Sequence, residues 1–380
     1  MSRPVAPMSH GSVFAPVHVT SFSSAQFDAC AQFLVQRASD TESVPIVDER
    51  QLMLTAEGRI VENGYRFNAV GFLAVCNALI TGLSSVFNDL SGETRNRFSE
   101  SIANGDFAAA VTIYNTALRS RFELLQGRTL LVNRRDKTVD GFLGIEHRML
   151  DNSVFINLVN DELRNRQPDA EFYRAEIIGR ELRLYYVHPK TRRHDLYHDP
   201  RHVFAAGWFF SNREDSGLAI RAAQTVLTKF GPAVEPRKRT TAVRHVGADL
   251  IGRTMTMVSK VSADYISAET LASSVSRLQA MSMNFSDSKQ SFETAMNHWT
   301  AYLSRFKIAG NVARQVCRMA AFSGADLDPQ NPVDAYSKET IAGRTMYDLF
   351  CALLKNSRSQ YHTVKDAMQG AAFQMLIPKK

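Results

Sequence analysis

The chain has 380 residues, 44% hydrophobic and 22% charged, with a formal net charge of +7. Such proportions describe a globular protein long enough for two or three packed units, and they exclude a low-complexity chain. The basic excess favours an anionic partner, because net charge bears on association rather than on fold. No window approaches the roughly 18 consecutive apolar residues of a spanning helix, so no membrane partner is expected. The opening MSRPVAPMSHGSV lacks the charged-then-apolar pattern of a leader, which points to the cytoplasm. Cys30, Cys76, Cys317 and Cys351 lie far apart in apolar contexts and read as buried thiols.

Residues 1–20, with three prolines, read as a flexible lead-in. From Ser24 to Ala38 the spacing of Phe27, Ala31, Leu34 and Val35 predicts a helix. QLMLTAEGRIVENGYRF predicts a short hairpin turning at Glu57 and Gly58. Helices follow over Asn68 to about Ile80, ETRNRFSESIA and DFAAAVTIYNTALRSRFELL. After Gly127 the texture changes to short β-branched and aromatic runs: TLLVNR, VDGFLGIEHRM, AEFYRAEIIG, ELRLYYVHP, HVFAAGWFFSN and GLAIRAAQTVLTKFG. DNSVFINLVNDELRNR interrupts them as a helix, with Asp151 or Asn152 as its cap. Beyond Gly247, ADLIGRTMTMVSKV, AETLASSVSRLQAMSM, SKQSFETAMNHWTAYLSRF and IAGNVARQVCRMAAF are helical. FSGADLDPQNP breaks the pattern, and TMYDLFCALLKNS and TVKDAMQGAAFQML close the chain as helices. The expected fold class is α+β. It comprises a helical N-terminal unit with the hairpin (21–126), a central mixed or antiparallel sheet with an inserted helix (127–247) and a helical C-terminal unit (248–380).

Four segments in order resemble the phage/plasmid-like protein family, a domain of unknown function carried on phages, prophages and plasmids. They are YRFNAVGFLAVCNALITGLSSVF, then GFLGIEHRMLDNSVF, then FFSNREDSGLAIRAAQTVLTKFG followed by AVRHVG, and last GRTMYDLFCALLKNSRSQ. The resemblance covers about Tyr65 to Gln360. It marks Glu146, His147, Arg148, Asp151, Asn152, Asn212, His245 and Gly247 as motif positions. The chain departs from the pattern at Glu146-His147, where Asp-Arg-Tyr is usual, and at Lys229-Phe230-Gly231, where a cysteine-asparagine-glycine turn is common. The resemblance implies mobile-element biology in a bacterial host and carries no known catalytic activity with it.

The residues themselves supply no phosphate loop, no dinucleotide fingerprint and no nucleophile elbow. No cofactor is expected, and a non-enzymatic role is favoured. HPKTRRHDLYHDPRH sets His188, His194, His198 and His202 beside Asp195 and Asp199. Pro189 and Pro200 argue against the helix that a His-x-x-x-His metal pair needs, and a polar loop is preferred to a metal site or a metal-dependent enzyme. Three basic clusters remain: Arg134, Arg135 and Lys137; Arg192 and Arg193; and Arg237, Lys238, Arg239 and Arg244 within EPRKRTTAVRHVG. Cations on a phosphate chain release counterions, and nearby aromatics, Tyr197 or Trp208, would stack on bases. The leading expectation is a nucleic-acid-binding protein, with single-stranded DNA the favoured partner in replication or recombination. The same charges also suit a solvated loop. Small residues and methionines in the last third suit either an ordinary core or a homo-oligomer or partner surface, which makes a self-assembling or host-directed factor the alternative.

Overall fold

A computed structural model of the chain describes residues 15, 19–68, 71–72, 75, 106–193, 204–215, 219–284, 289–322, 344–358 and 362–378. The protein is α+β, with helices at both ends and two sheets. The larger sheet is antiparallel. It comprises β1 (Val19–Ser23), β6 (Glu171–Ile178), β7 (Glu181–Val187), β8 (Ala205–Arg213), β9 (Ile220–Thr228) and β10 (Gly231–Val234) in that spatial order. A further strand, β11 (Thr241–Val243), pairs with β9 on the side that β10 also occupies. The smaller sheet runs β2 (Thr41–Pro45), β4 (Thr129–Asn133), β5 (Thr138–Leu143) and β3 (Arg66–Phe67), the last pair parallel.

Alternation along the strands decides what each face of the large sheet covers. Leu182, Leu184, Tyr186, Trp208, Phe210, Ile220 and Ala222 share one face. They pack against Cys30 and Leu34 of α1 (Phe27–Ser39), Phe155, Ile156, Val159 and Leu163 of α3 (Asn152–Arg166), and Met257 and Val258 of α4 (Leu250–Ser262). Helix α2 (Phe107–Arg121) instead closes the core of the small sheet through Val111, Tyr114 and Leu118. Farther along the first face, Phe204, Ala206 and Val226 join the core of the C-terminal helices. These are α5 (Ala268–Ala280), α6 (Lys289–Ser304), α7 (Gly310–Ala321), α8 (Met346–Ser357) and α9 (His362–Leu376). The opposite face carries Tyr185, Val187, Ala205, Phe209, Ala223 and Leu227, and next to them the buried charges Glu181, Arg183 and Arg221.

Several local features follow from single residues. Asp151 caps α3, accepting from the Ser153 N–H at 2.7 Å, so of the two candidates Asp151 is the cap. The expected hairpin at Gln51–Phe67 is reduced to single bridges, Leu54 to Ile60 and Arg59 to Arg66. A second turn at Gly64 (φ 72°) follows Gly58 (φ 71°) too soon for a ladder to form. Within the proline-rich lead-in, Ala15 bridges Asn68, and Val19 and Thr20 open β1. Cys30 and Cys317 are buried and Cys351 is half-buried, their thiols pushed up by burial to about 12, 11 and 12. Cys76, ETRNRFSESIA and all of FSGADLDPQNP after Phe322 lie outside the described residues, as does most of the helix expected from Asn68.

Candidate functional site

At one end of the strands the turns β6–β7 and β8–β9 meet β5 of the small sheet, and most of the motif residues converge there. Asn212 donates through Nδ2 to the Leu150 carbonyl (2.6 Å) and to Asn152 Oδ1 (2.9 Å). Asn152 donates its backbone N–H to Glu214 Oε1 (2.7 Å) and its Nδ2 to the Arg180 carbonyl (3.1 Å). The Arg180 guanidinium ties the junction together. It contacts Glu214 at 3.3 Å and Asp140 at 3.1 Å, and donates to Thr41 Oγ1 at 2.7 Å, so it bonds residues of both sheets. Asp140 also accepts from Thr138 Oγ1 and Asn68 Nδ2. Burial raises the Glu214 carboxyl above its ordinary range, and Arg180 opposes that shift.

Beside this junction the chain forms a short antiparallel contact. His147 bridges Val246, and the Arg148 N–H donates to the His245 carbonyl at 2.7 Å. The two imidazoles stack at 4.9 Å between centroids, 16° apart. His245 Nδ1 lies 3.0 Å from the Arg148 carbonyl, an acceptor only, so Nδ1 carries the proton. The Nε2 atoms of both rings are buried without a hydrogen-bond partner. Burial first, then the charge of His245, pushes His147 down to about 4, while burial lowers His245 against the opposing effects of the Arg148 carbonyl and Asp215.

Both folded histidines therefore bind protons less readily than unfolded ones. Their contribution is fully present above the ordinary histidine value of 6.5 and is lost as pH falls toward about 4. The urea midpoint is expected to drop between about pH 7 and about pH 5. The drop should be smaller in His147→Asn. Equal drops in the two proteins would show that the stacked pair does not govern the acid response.

Outward from the pair, cations and apolar side chains share the surface. Arg148 and Arg244 are exposed on the two bridged segments, and Lys238 is exposed on the preceding loop. Arg253, on the first turns of α4, donates to the Val246 carbonyl at 2.6 Å. Of thirteen exposed large hydrophobics among the described residues, six lie on the bridged segments or on the first turns of the helices that follow them: Ile145, Met149, Val154, Val246, Ile251 and Met255. Ile145 is 72% exposed and Ile251 49%. Such clustering distinguishes a contact surface from scattered apolar residues, which are ordinary.

The other predicted cations are not gathered into this surface. Arg134, Arg135 and Lys137 form the exposed β4–β5 turn of the small sheet, where Arg134 lies 3.7 Å from Glu42 and Lys137 has φ 53°. The length of β5, about 3.3 Å per residue, separates that turn from the histidine pair. Arg192 pairs with Glu171, and Arg193 bridges Phe204. Both stand at the opposite end of the large sheet. Within the third cluster, Arg237 is paired with Asp366 at 2.9 Å, and Arg239 reaches the Ile377 carbonyl at 3.5 Å.

Trp208 requires a correction. It is 0% exposed in the core, with Nε1 donating to the Asp264 carbonyl, and so cannot stack on a base. Tyr185 and Tyr186 are likewise both core residues. Tyr197 lies outside the described residues, with His194, His198 and His202; His188 is buried and stacks on Tyr265 at 4.1 Å. Among the described residues no group of three or more His, Cys, Asp or Glu side chains is placed to hold a metal ion. Glu146 and Gly247 (φ 79°) are exposed at the two ends of the bridged segments.

Sequence reasoning missed Arg180, Asp140, Glu214 and Asp366. Arg180 and Glu214 sit in polar runs, IIGRELR and NREDSG, that read as solvated turns, while Asp140 and Asp366 are single acids within a predicted strand and a predicted helix. Comparison of the chain with protein-family models, with curated proteins and with solved structures found no match.

Proposed function

We propose that the protein is a non-enzymatic nucleic-acid-binding protein that takes a single strand along the rim formed by Lys238, Arg244, Arg148 and Arg253. The observation supporting this most is the mixture of exposed cations with Ile145, Met149, Val246, Ile251 and Met255. A single strand presents phosphates and unpaired base faces together, whereas a duplex stacks its base faces away and shows only base edges in its grooves. With Trp208 internal, contact with the bases falls to aliphatic and thioether side chains, which tolerate any sequence. The phage or plasmid origin rests on the four motifs in the sequence.

Anisotropy titrations of fluorescent single-stranded DNA test this. Combined Arg148→Ala, Lys238→Ala and Arg244→Ala should flatten the plot of log K against log salt by about 2, at about 0.7 for each phosphate no longer neutralised. It should also weaken binding by about tenfold or more near 0.1 M salt. Ile251→Ser with Met255→Ser should weaken single-strand binding with the slope unchanged. No binding at low salt, or a triple variant matching the wild type, would defeat the assignment.

The same apolar cluster favours one other reading, a self-association or partner surface. A molecular mass that rises with protein concentration in the absence of nucleic acid, and reverts in the Ile251/Met255 variant, would select it.

A further inference from the structure

A second group of cations lies on the charged part of the large sheet, on the face opposite the one that α3 and α4 cover. Arg183 and Arg221 stand in one cross-strand row, with Ser211 between them. Both converge with Arg237 on one carboxylate, Asp366 of α9. Arg183 approaches Oδ1 at 3.1 Å, Arg237 approaches Oδ2 at 2.9 Å, and Arg221 stays 3.7 Å from Oδ2. Arg183 also donates to Glu181 Oε1 at 2.7 Å, so of the three guanidiniums that share the Asp366 carboxylate Arg221 is the one held farthest off. Its Nη2 donates to the Glu235 carbonyl and its plane lies over the Phe209 ring. Yet Arg221 is only 7% exposed, and its Nε has no hydrogen-bond partner. The Tyr185 hydroxyl on the same face is also buried and unpartnered.

Charge at this place is not balanced. Among the described residues the cations of the region are Arg174, Arg183, Arg213, Arg221, Arg237, Arg239 and Lys365; the acids are Glu176, Glu181, Asp215, Glu235 and Asp366. Seven cations against five acids leave an excess of two positive charges. Burial, with the neighbouring guanidiniums of Arg237 and Arg183 adding to it, brings Arg221 down to about 10. The cluster also has an open side, since the Arg237 side chain is 47% exposed.

We infer that Arg221, Arg237 and Arg183 form a phosphate-binding site in which the Asp366 carboxylate occupies the place of a phosphate group. A tetrahedral phosphate supplies the further oxygen that a carboxylate lacks, and arginine forks match it in geometry. Arg237 belongs to the cationic loop that leads to the rim. A strand lying there would therefore seat one phosphate in the site, in competition with Asp366. The strand as the source of that phosphate rests on the function proposed above; the phosphate chemistry does not.

Two probes keep these apart. The first is inorganic phosphate, read by the shift it causes in melting temperature at constant ionic strength. Asp366→Asn should show a phosphate-dependent shift at least about threefold that of Asp161→Asn, a variant with the same charge change on an exposed helix face. The second is single-stranded DNA, for which Asp366→Asn should bind about tenfold more tightly than Asp161→Asn, a gain that added Arg237→Gln removes. Should Asp366→Asn fail to fold, Arg237→Gln in the wild-type background must abolish whatever phosphate shift the wild type shows. Equal phosphate shifts in the two amide variants would overturn the site, whether or not DNA binds. An enlarged phosphate shift without DNA binding would leave the site standing and remove the strand reading.

Discussion

Replacing Arg180 by methionine is expected to lower the unfolding free energy by about 3–5 kcal/mol, because it strands buried carboxylates without a counter-charge. Arg180 is itself buried, and its guanidinium contacts Asp140 of β5 and Glu214 of the β8–β9 turn. Methionine keeps the bulk of the stem and removes only the donors. Arg37 is the remaining cation nearby, at 4.0 Å from Asp140, too far for a good hydrogen bond. The loss should narrow on acidification, when protonation neutralises the stranded acids. Urea unfolding followed by circular dichroism at two pH values measures both effects. A deficit below about 1 kcal/mol would mean that the junction tolerates the buried charges, as exposed ion pairs do.

Gly207→Ala is expected to be comparably severe, at about 3 kcal/mol or more, by a steric route. Gly207 is the third residue of β8, opposite Val187. A Cβ there would lie 1.9 Å from the Tyr186 carbonyl oxygen and 2.8 Å from the Val187 Cα. Both obstacles are backbone, so no rotamer change relieves the clash, and β7 and β8 must separate where Trp208 and Tyr186 are packed. A glycine inside a strand marks such a close approach of another backbone. Denaturation monitored by tryptophan emission should show an earlier midpoint and a red-shifted native spectrum. A midpoint equal to that of the wild type would show that the two strands can part without cost.

The large sheet was legible because its strands announce themselves. ELRLYYV and AAGWFFSNR are too rich in aromatic and β-branched residues for a helix, and short turns separate them. The start of α3 was legible for a similar reason, with Asp151 or Asn152 just before a run with helical spacing, and the structure selects Asp151. The edges were not. β1 is built from VTSFS and β11 from TAV, segments whose extended form depends on the partners β6 and β9. The position of the cations was hidden too. Arg237 and Arg244 belong to one basic run, but the fold ties the first to Asp366, 129 residues away, and leaves the second exposed. Trp208 illustrates the converse, an aromatic beside basic clusters in sequence that the strand alternation turns inward.

The way the chain completes the β9 side of the large sheet bears on how copies of the protein could meet. β10 and β11 together make its outer strand, but Pro236–Thr240 leaves the ladder opposite the single residue Ala223. Pro232 further withholds one amide donor from that side. A foreign strand laid alongside would find at most a few consecutive amides before meeting the cationic excursion. Zippering of one sheet onto another, the usual hazard of an open border, is thereby blocked at this margin. Association of copies at this margin therefore has to use side chains and not the backbone amides of β10.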